Sequence, residues 1–251
     1  MYFIKTIINF FLIPFRIYKK YKIKKNINVY DYKKLVPIIR EKNLSYLNDN
    51  RICQILKSIK YLNEKKIKGM FIETGIALGG TLILIAGYSN NRKVLAFDTF
   101  EMIPPPSKED PPEVHERYNE IKFGKSQGIN GDIYYGYRND LFNFVNENLN
   151  LLIAPKILKN IKLVKGLIQN TMRLEDPVSF AHIDVDWYEP VKFSLTQVWP
   201  KLVDKGIIIL DDYYDWGGCK KAVDEFFKDK SDYHFDNKGG NLKITKLKKV
   251  K

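Results

Sequence analysis

Residues 182–190, HIDVDWYEP, decide how this chain folds. They set Asp184, Asp186 and Glu189 directly after an apolar lead-in of Val178, Phe180, Ala181 and Ile183. The stretch 207–216, IIILDDYYDW, does the same, closing an apolar run on Asp211 and Asp212. A continuous apolar run is the signature of a strand buried on both faces, which is the state of strands in a parallel sheet. Two such strands ending in acids place several carboxylates at one edge.

Upstream, GMFIETG (69–75), KVLAFDTF (93–100) and IKLVKG (161–166) read as three more strands. IALGGTLILIAGY (76–88), WYEPVKFSLTQVWPKL (187–202) and CKKAVDEFFKD (219–229) read as helices between or behind them. The pattern YHFDNKGGNLKITKL (233–247) predicts a hairpin-like strand pair around Gly239 and Gly240. Strands alternating with helices predict parallel βαβ units and an α/β fold.

Three parts are expected along the chain: a basic apolar segment over 1–30, a helical extension over 31–67, and a main domain over 68–251. The extension shows one apolar stripe of Ile52, Ile55, Leu56, Ile59 and Leu62. The main domain carries an insertion at about 100–150, rich in Pro, Gly and charge; its aromatics (Tyr118, Phe123, Tyr134, Tyr135, Tyr137) predict an ordered lid.

The net charge of +13 sits at the ends. Residues 1–30 hold seven Lys/Arg and residues 237–251 hold six, with no acid in either, while the remaining 29 bases match the 29 acids. A neutral body argues against nucleic acid as a partner. Basic ends suit an anionic surface or are simply solvated tails. Residues 1–25 are interrupted by Lys5, Pro14 and Arg16, which argues against a span and leaves peripheral membrane contact or a helix packed on the body or on a second subunit. Two cysteines make no disulfide framework, so a cytoplasmic setting is expected, at the inner face of the membrane if the N-terminus binds there.

In an open parallel sheet, ligands bind outside the carboxyl ends of the strands. Glu73, Asp98, Asp184, Asp186, Asp211 and Asp212 gather at those ends. Carboxylates crowded in a low-dielectric crevice repel one another, and a hard divalent cation (Mg2+, Mn2+ or Ca2+) relieves the repulsion. Asp184, Asp211 and Asp212 therefore read as a metal cage. The competing reading is helix capping, strongest for Asp186 before WYEPVKF and weaker for the 211–212 pair, because one cap needs one acid. In ETGIALGG (73–80) the glycines suit close approach to a small ligand or tight packing alike, and Asp98 is positioned to accept from ribose hydroxyls. His182 is expected as a packed core histidine turned away from the acids, and His115 as a solvated lid residue. Trp187 and Tyr188 read as core, with stacking on a substrate as the alternative.

FIETGIALGGT, VLAFDTFEMIPPP, HIDVDWYEP and GIIILDDYYDWGGCKKAVDEF together resemble the macrocin O-methyltransferase family over roughly residues 69–230. The resemblance implies a Rossmann-like class I methyltransferase fold, with a seven-stranded, mostly parallel sheet and helices on both faces. It implies an S-adenosylmethionine- and Mg2+-dependent transfer to a sugar hydroxyl, with surface polysaccharide or glycoside biosynthesis as the setting. Glu73, Thr74, Gly75, Gly79 and Gly80 match the loop that holds the methionine part of the cofactor. Asp98 matches the ribose ligand and Gly166 the turn near the adenine. Asp184, Asp211 and Asp212 match the metal ligands, and Asp184 also the general base. An acceptor with a vicinal diol follows, because two neighbouring hydroxyls chelate one ion, and a homo-oligomer is expected. The competing activities are a glycosyltransferase that uses Asp184-Val185-Asp186 as a metal-binding triplet, and a non-catalytic membrane scaffold.

Overall fold

The computed structural model describes residues 32–248. The expected membrane contact of residues 1–25 lies outside these. Among the described residues no helix is long and apolar enough to cross a membrane.

Seven strands form one sheet: β1 (Met70–Thr74), β2 (Val94–Asp98), β3 (Ile161–Lys165), β4 (Val178–Ile183), β5 (Leu202–Leu210), β6 (Tyr233–Asp236) and β7 (Leu242–Lys246). Their order is β3-β2-β1-β4-β5-β7-β6. The first five pair in parallel, as the helical crossovers between them require. β7 is antiparallel to both β5 and β6, the expected hairpin. This is the seven-stranded α/β architecture expected from the sequence. Chain order reverses between β1 and β4, which makes their carboxyl ends the topological switch point.

Period-two alternation divides the strand residues between two cores. Phe71, Phe180, Ile207 and Ile209 face one layer. It is built from α1 (Tyr32–Glu41), α2 (Asp49–Glu64), α3 (Gly80–Gly87) and α5 (Leu141–Leu152), the segment α4 (Pro112–Lys122) standing apart from it in the lid. Ile72, Ala181, Ile183, Ile208 and Leu210 face the other layer, made by α8 (Tyr188–Lys201) and α9 (Gly217–Phe227). Two short turns of helix, α6 (Pro155–Leu158) and α7 (Ile168–Thr171), flank β3.

Two local features position the site. Asn48 caps α2 by accepting from the Arg51 amide at 3.0 Å, and the stripe from Ile52 to Leu62 is buried. Arg51 thereby leaves the first turn on the side facing the strand ends. The second feature corrects the lid boundary. α5 lies inside the stretch expected as lid, yet its Leu141, Val145 and Leu149 recur at helical spacing and are buried in the first core. The covering segment ends near residue 140 and has its own small core of Ile103, Val114, Ile121, Tyr134 and Trp187.

Candidate active site

The strand parity that sorts the core also sorts the acids. Glu73 pairs directly with His182 in the register of β1 and β4, and His182 pairs with Ile209 of β5, two residues before Asp211. All three side chains project on the face of Phe71, Phe180 and Ile209. His182 Nδ1 lies 3.2 Å from Glu73 Oε1 and its Nε2 lies 3.7 Å from Asp211 Oδ1, an ion-pair distance. The expectation that His182 turns away from the acids is therefore overturned, although it is fully buried as expected. Burial works against a charge on the ring, but contacts with Asp211 and Glu73 outweigh it and raise its pKa to about 9. His182 thus bridges two strand ends. Burial pushes Glu73 up, with His182 opposing, and Glu73 Oε2 has no hydrogen-bond partner among the described residues.

The row continues outward. Arg51 donates from Nη1 to Asp211 Oδ2 at 2.7 Å and from Nη2 to Asp215 Oδ2 at 2.6 Å. Asn241 on the β6–β7 turn approaches Asp211 Oδ1 at 3.4 Å. Burial raises the Asp211 pKa, but His182 and Arg51 more than compensate and hold it below the ordinary carboxylate value.

Asp184 and Asp212 stand beside this row without such help. With Asp211 they offer ligand oxygens that all lie within 4.8 Å of one another. Burial, then repulsion from Asp211, pushes Asp184 well above its ordinary value. Burial, then Asp186 and Asp184, does the same to Asp212. Asp186 is held at the rim, its amide donating to Asp212 Oδ2 at 3.1 Å; burial and Asp211 push it up to about 7 while the Trp216 side chain opposes. Three oxygen donors at contact range, two of them destabilised as anions, suit a hard divalent cation.

Capping does not account for these acids. The N-cap positions of α8 and α9 are Trp187 and Trp216, and neither makes a side-chain capping bond. The amide of Tyr188 is satisfied instead by Asp110 of the lid, at 2.7 Å.

Asp98 is organised differently. Its Oδ2 accepts from the Ile76 and Ala77 amides at 2.6 and 3.1 Å, and its Oδ1 from Phe100 at 2.6 Å. Ala77 and Phe100 have φ of 46° and 52°, the left-handed region that costs a residue with a Cβ. Asp98 thus fastens the turns after β1 and β2 in their strained form. A carboxylate has about four acceptor sites, and the Thr99 side chain joins the three amides on Asp98, so a ligand hydroxyl would share or displace that contact.

Two adjoining clefts open at this edge. One, of about 800 Å³, is lined by Asp98, Thr99, Gly166, Leu167, Ile168 and Val185 among others. The other, of about 1260 Å³, is lined by the three acids, Arg51, Arg117, Tyr46, Tyr134 and Trp216. Gly75, Asp98, Tyr135, Asp184, Asp186 and Trp187 line both. Trp187 is thus buried and lines the site, whereas Tyr188 belongs to the second core.

The expected cofactor loop divides. Gly75 has φ +79° and a Cβ there would stand 1.6 Å from the Asp184 carbonyl oxygen, so only glycine lets the two strand ends meet. Gly166, at φ +129°, donates its amide to the Asp98 carbonyl. Gly79 and Gly80 line neither cleft: Gly79 packs on Val145, and Gly80 donates to Leu44 O at 2.9 Å. Glu73 and Thr74 are fully buried beneath the loop. His115 is half-buried in α4 and lines neither cleft.

Comparison with known proteins gives a consistent picture. The family model described as macrocin O-methyltransferase (TylF) matches residues 41–234. A demethyldecarbamoylnovobiocin O-methyltransferase from Streptomyces niveus is 25% identical over 187 residues, which are 70% of this chain and 64% of that protein. The chain thus spans less than two thirds of that relative. Among solved structures, the O-methyltransferase NovP superposes with a TM-score of 0.65 at 21% identity, covering 82% of this chain and 83% of that one. The calicheamicin methyltransferase CalS11 superposes with a TM-score of 0.59 at 16% identity, covering 91% and 89%. These two likenesses establish the fold.

Proposed function

The chain belongs to the macrocin O-methyltransferase family, and from that premise we propose that it is an S-adenosylmethionine- and Mg2+-dependent O-methyltransferase acting on a sugar hydroxyl. The observation that carries the reading is the position of Asp184. It lies in the wall common to both clefts and within ligand range of Asp211 and Asp212.

In this reading the smaller cleft takes the adenosine of the cofactor, with Asp98 accepting from the ribose hydroxyls and Gly166 and Leu167 beside the base. S-Adenosylmethionine supplies, when bound, a methyl group on a cationic sulfur. Mg2+ supplies, when bound between Asp184, Asp211 and Asp212, a lowered pKa and a fixed orientation for an acceptor hydroxyl. The chain's own residues do the rest. Asp184, in the wall common to both clefts and among the acids that would hold the ion, takes the hydroxyl proton. Arg51 and His182 keep Asp211 ionised. Tyr134, Tyr135 and Trp187 close the cleft over the acids and exclude water. The aromatic walls suit the apolar face of a sugar, and a vicinal diol suits the acid trio.

The curated relative's name is that of an enzyme acting on a novobiocin precursor, which favours a glycosylated small molecule over a polysaccharide as acceptor. A glycosyltransferase built on Asp184-Val185-Asp186 is not favoured: Asp186 stands outside the acid trio, held by Trp216. Peripheral membrane contact through residues 1–25 and a homo-oligomer belong to the same reading. The test is to incubate the protein with methyl-labelled cofactor and a panel of glycosides and nucleotide-sugars, with and without EDTA. Mass spectrometry should find a metal-dependent gain of one methyl on the sugar. Release of nucleotide diphosphate, with no methylated product, would replace this reading with the glycosyltransferase.

A further inference from the structure

The acid loops are held from the lid side by a residue that the methyl-transfer chemistry leaves unused. Asp110 is buried, 5% exposed, although it lies in the Pro-rich covering segment. Its Oδ1 accepts from the Tyr188 amide at 2.7 Å, and its Oδ2 accepts from the Ser107 amide at 2.9 Å and the Ser107 hydroxyl at 3.0 Å. Its carboxylate also rests against α9: a Cβ on Gly218 would stand 1.9 Å from Asp110 Oδ1. Beside it, a Cβ on Gly217 would stand 2.8 Å from Pro111 Cγ. The consecutive glycines of the WGG motif leave the space that Asp110 and Pro111 fill.

The two helices that meet at Asp110 are α8 and α9. α8 begins just after Asp184 and Asp186, and α9 just after Asp211 and Asp212. Both have a tryptophan at the N-cap position with no side-chain cap. Those tryptophans pack edge to face at 5.7 Å, and Trp187 donates from its indole to Pro104 O at 2.9 Å. Lys221 of α9 pairs with Glu109 at 2.8 Å. A negative charge is favourable at a helix N-terminus; here the carboxylate caps α8 through the Tyr188 amide and packs sterically against the first turn of α9.

We propose that Asp110 is a positioning residue: a cap for α8, borrowed from the covering segment and seated against Gly218 of α9, that holds the two acid-bearing loops in register and thereby supports metal affinity. The proposal rests on the metal-dependent reading above. It also explains why Gly218 has no side chain, since a methyl group there would expel the carboxylate.

The test uses the full-length protein and four forms: wild type, D110A, G218A and the double variant. Mg2+ and S-adenosylhomocysteine affinities are measured by calorimetry, and loop protection by hydrogen exchange over 101–116, 184–188 and 211–218. Each single variant is expected to bind Mg2+ about 10- to 100-fold more weakly, the range seen when a partner that orients a ligand is lost. S-adenosylhomocysteine affinity should hold. The double variant should be no weaker than the weaker single, because both changes break one contact. D110N, which keeps an oxygen acceptor for Tyr188, should recover part of the loss. Wild-type Mg2+ affinity in D110A, or additive losses in the double, would overturn the proposal. A wild type that binds S-adenosylhomocysteine but no Mg2+ would remove the metal reading instead. The exchange data then decide: faster exchange in both acid loops of D110A supports the latch, and unchanged exchange overturns it.

Discussion

Asp98 closes β2 and Asp212 follows β5, two parallel strands of one sheet with β1 and β4 between them; both acids are buried, yet their surroundings are opposite. Asp98 receives three backbone amides from the turns it holds together. Asp212 receives one amide and faces three other acids. Asp211 stands between the two cases, crowded by the same acids but paired with Arg51 and His182. The contrast separates a carboxylate that serves the fold from carboxylates held in place for something the chain does not itself contain. Buried charge is tolerated when paired and costly when not. The acids without a cation are the ones to assign to a ligand.

The sharpest break of that contrast is D184N. It should lower kcat by about 10²- to 10⁴-fold, the usual worth of a proton acceptor, while the metal-free fold becomes no less stable in thermal melts. A loss of stability without a loss of rate would put Asp184 in the class of Asp98. R51M comes next. It leaves buried Asp211 with His182 as its remaining cationic partner and should destabilise the metal-free protein by about 3 kcal/mol in urea titrations, with saturating Mg2+ recovering part of the loss. Removing three acceptor bonds from Asp98 is smaller. D98A should cost about 1–3 kcal/mol, because amides of strained turns lose their partner, and should also weaken S-adenosylhomocysteine binding in calorimetry.

The smallest effect is that of pH on the metal-free protein. Asp186 has an unfolded value near 3.8 and a folded value of about 7, so its contribution is full below 3.8 and is lost as pH rises through 7. Asp184 and Asp212 are shifted in the same direction and add to the loss. Asp211 is shifted down, and its contribution is lost only in acid. The Tm should therefore fall by a few degrees from weakly acidic to weakly basic pH, and Mg2+ should flatten that slope.

Much of this was readable in the chain. Apolar runs closed by Glu73, Asp98, Asp184 and Asp211 announced parallel strands and a ligand edge, because strands buried on both faces leave little else for an acid to do. The direction of His182 was also readable. It shares parity with Phe180 and, through the register, with Glu73. Arg51, Asn241 and Asp110 were not. Arg51 is 160 positions from Asp211 and sits in a first helical turn whose polar residues look like any solvated face. Asp110 looks like one more charge in a Pro-rich loop; only Gly218, 108 positions on, marks the space it fills. Such contacts depend on how helices and lid pack on the sheet, and no local period encodes that. α5 was misjudged for a related reason: its Asn-rich outer face masked a stripe repeating at 141, 145 and 149.

The central claim is that Asp184, Asp211 and Asp212 hold a divalent cation. Anomalous diffraction from crystals of the full-length protein soaked in Mn2+ tests it most directly. The account predicts one strong peak within coordination distance of all three carboxylates, absent from D212N crystals treated alike. Saturating Mn2+ with no peak there, and Asp211 still held only by Arg51 and His182, would contradict it.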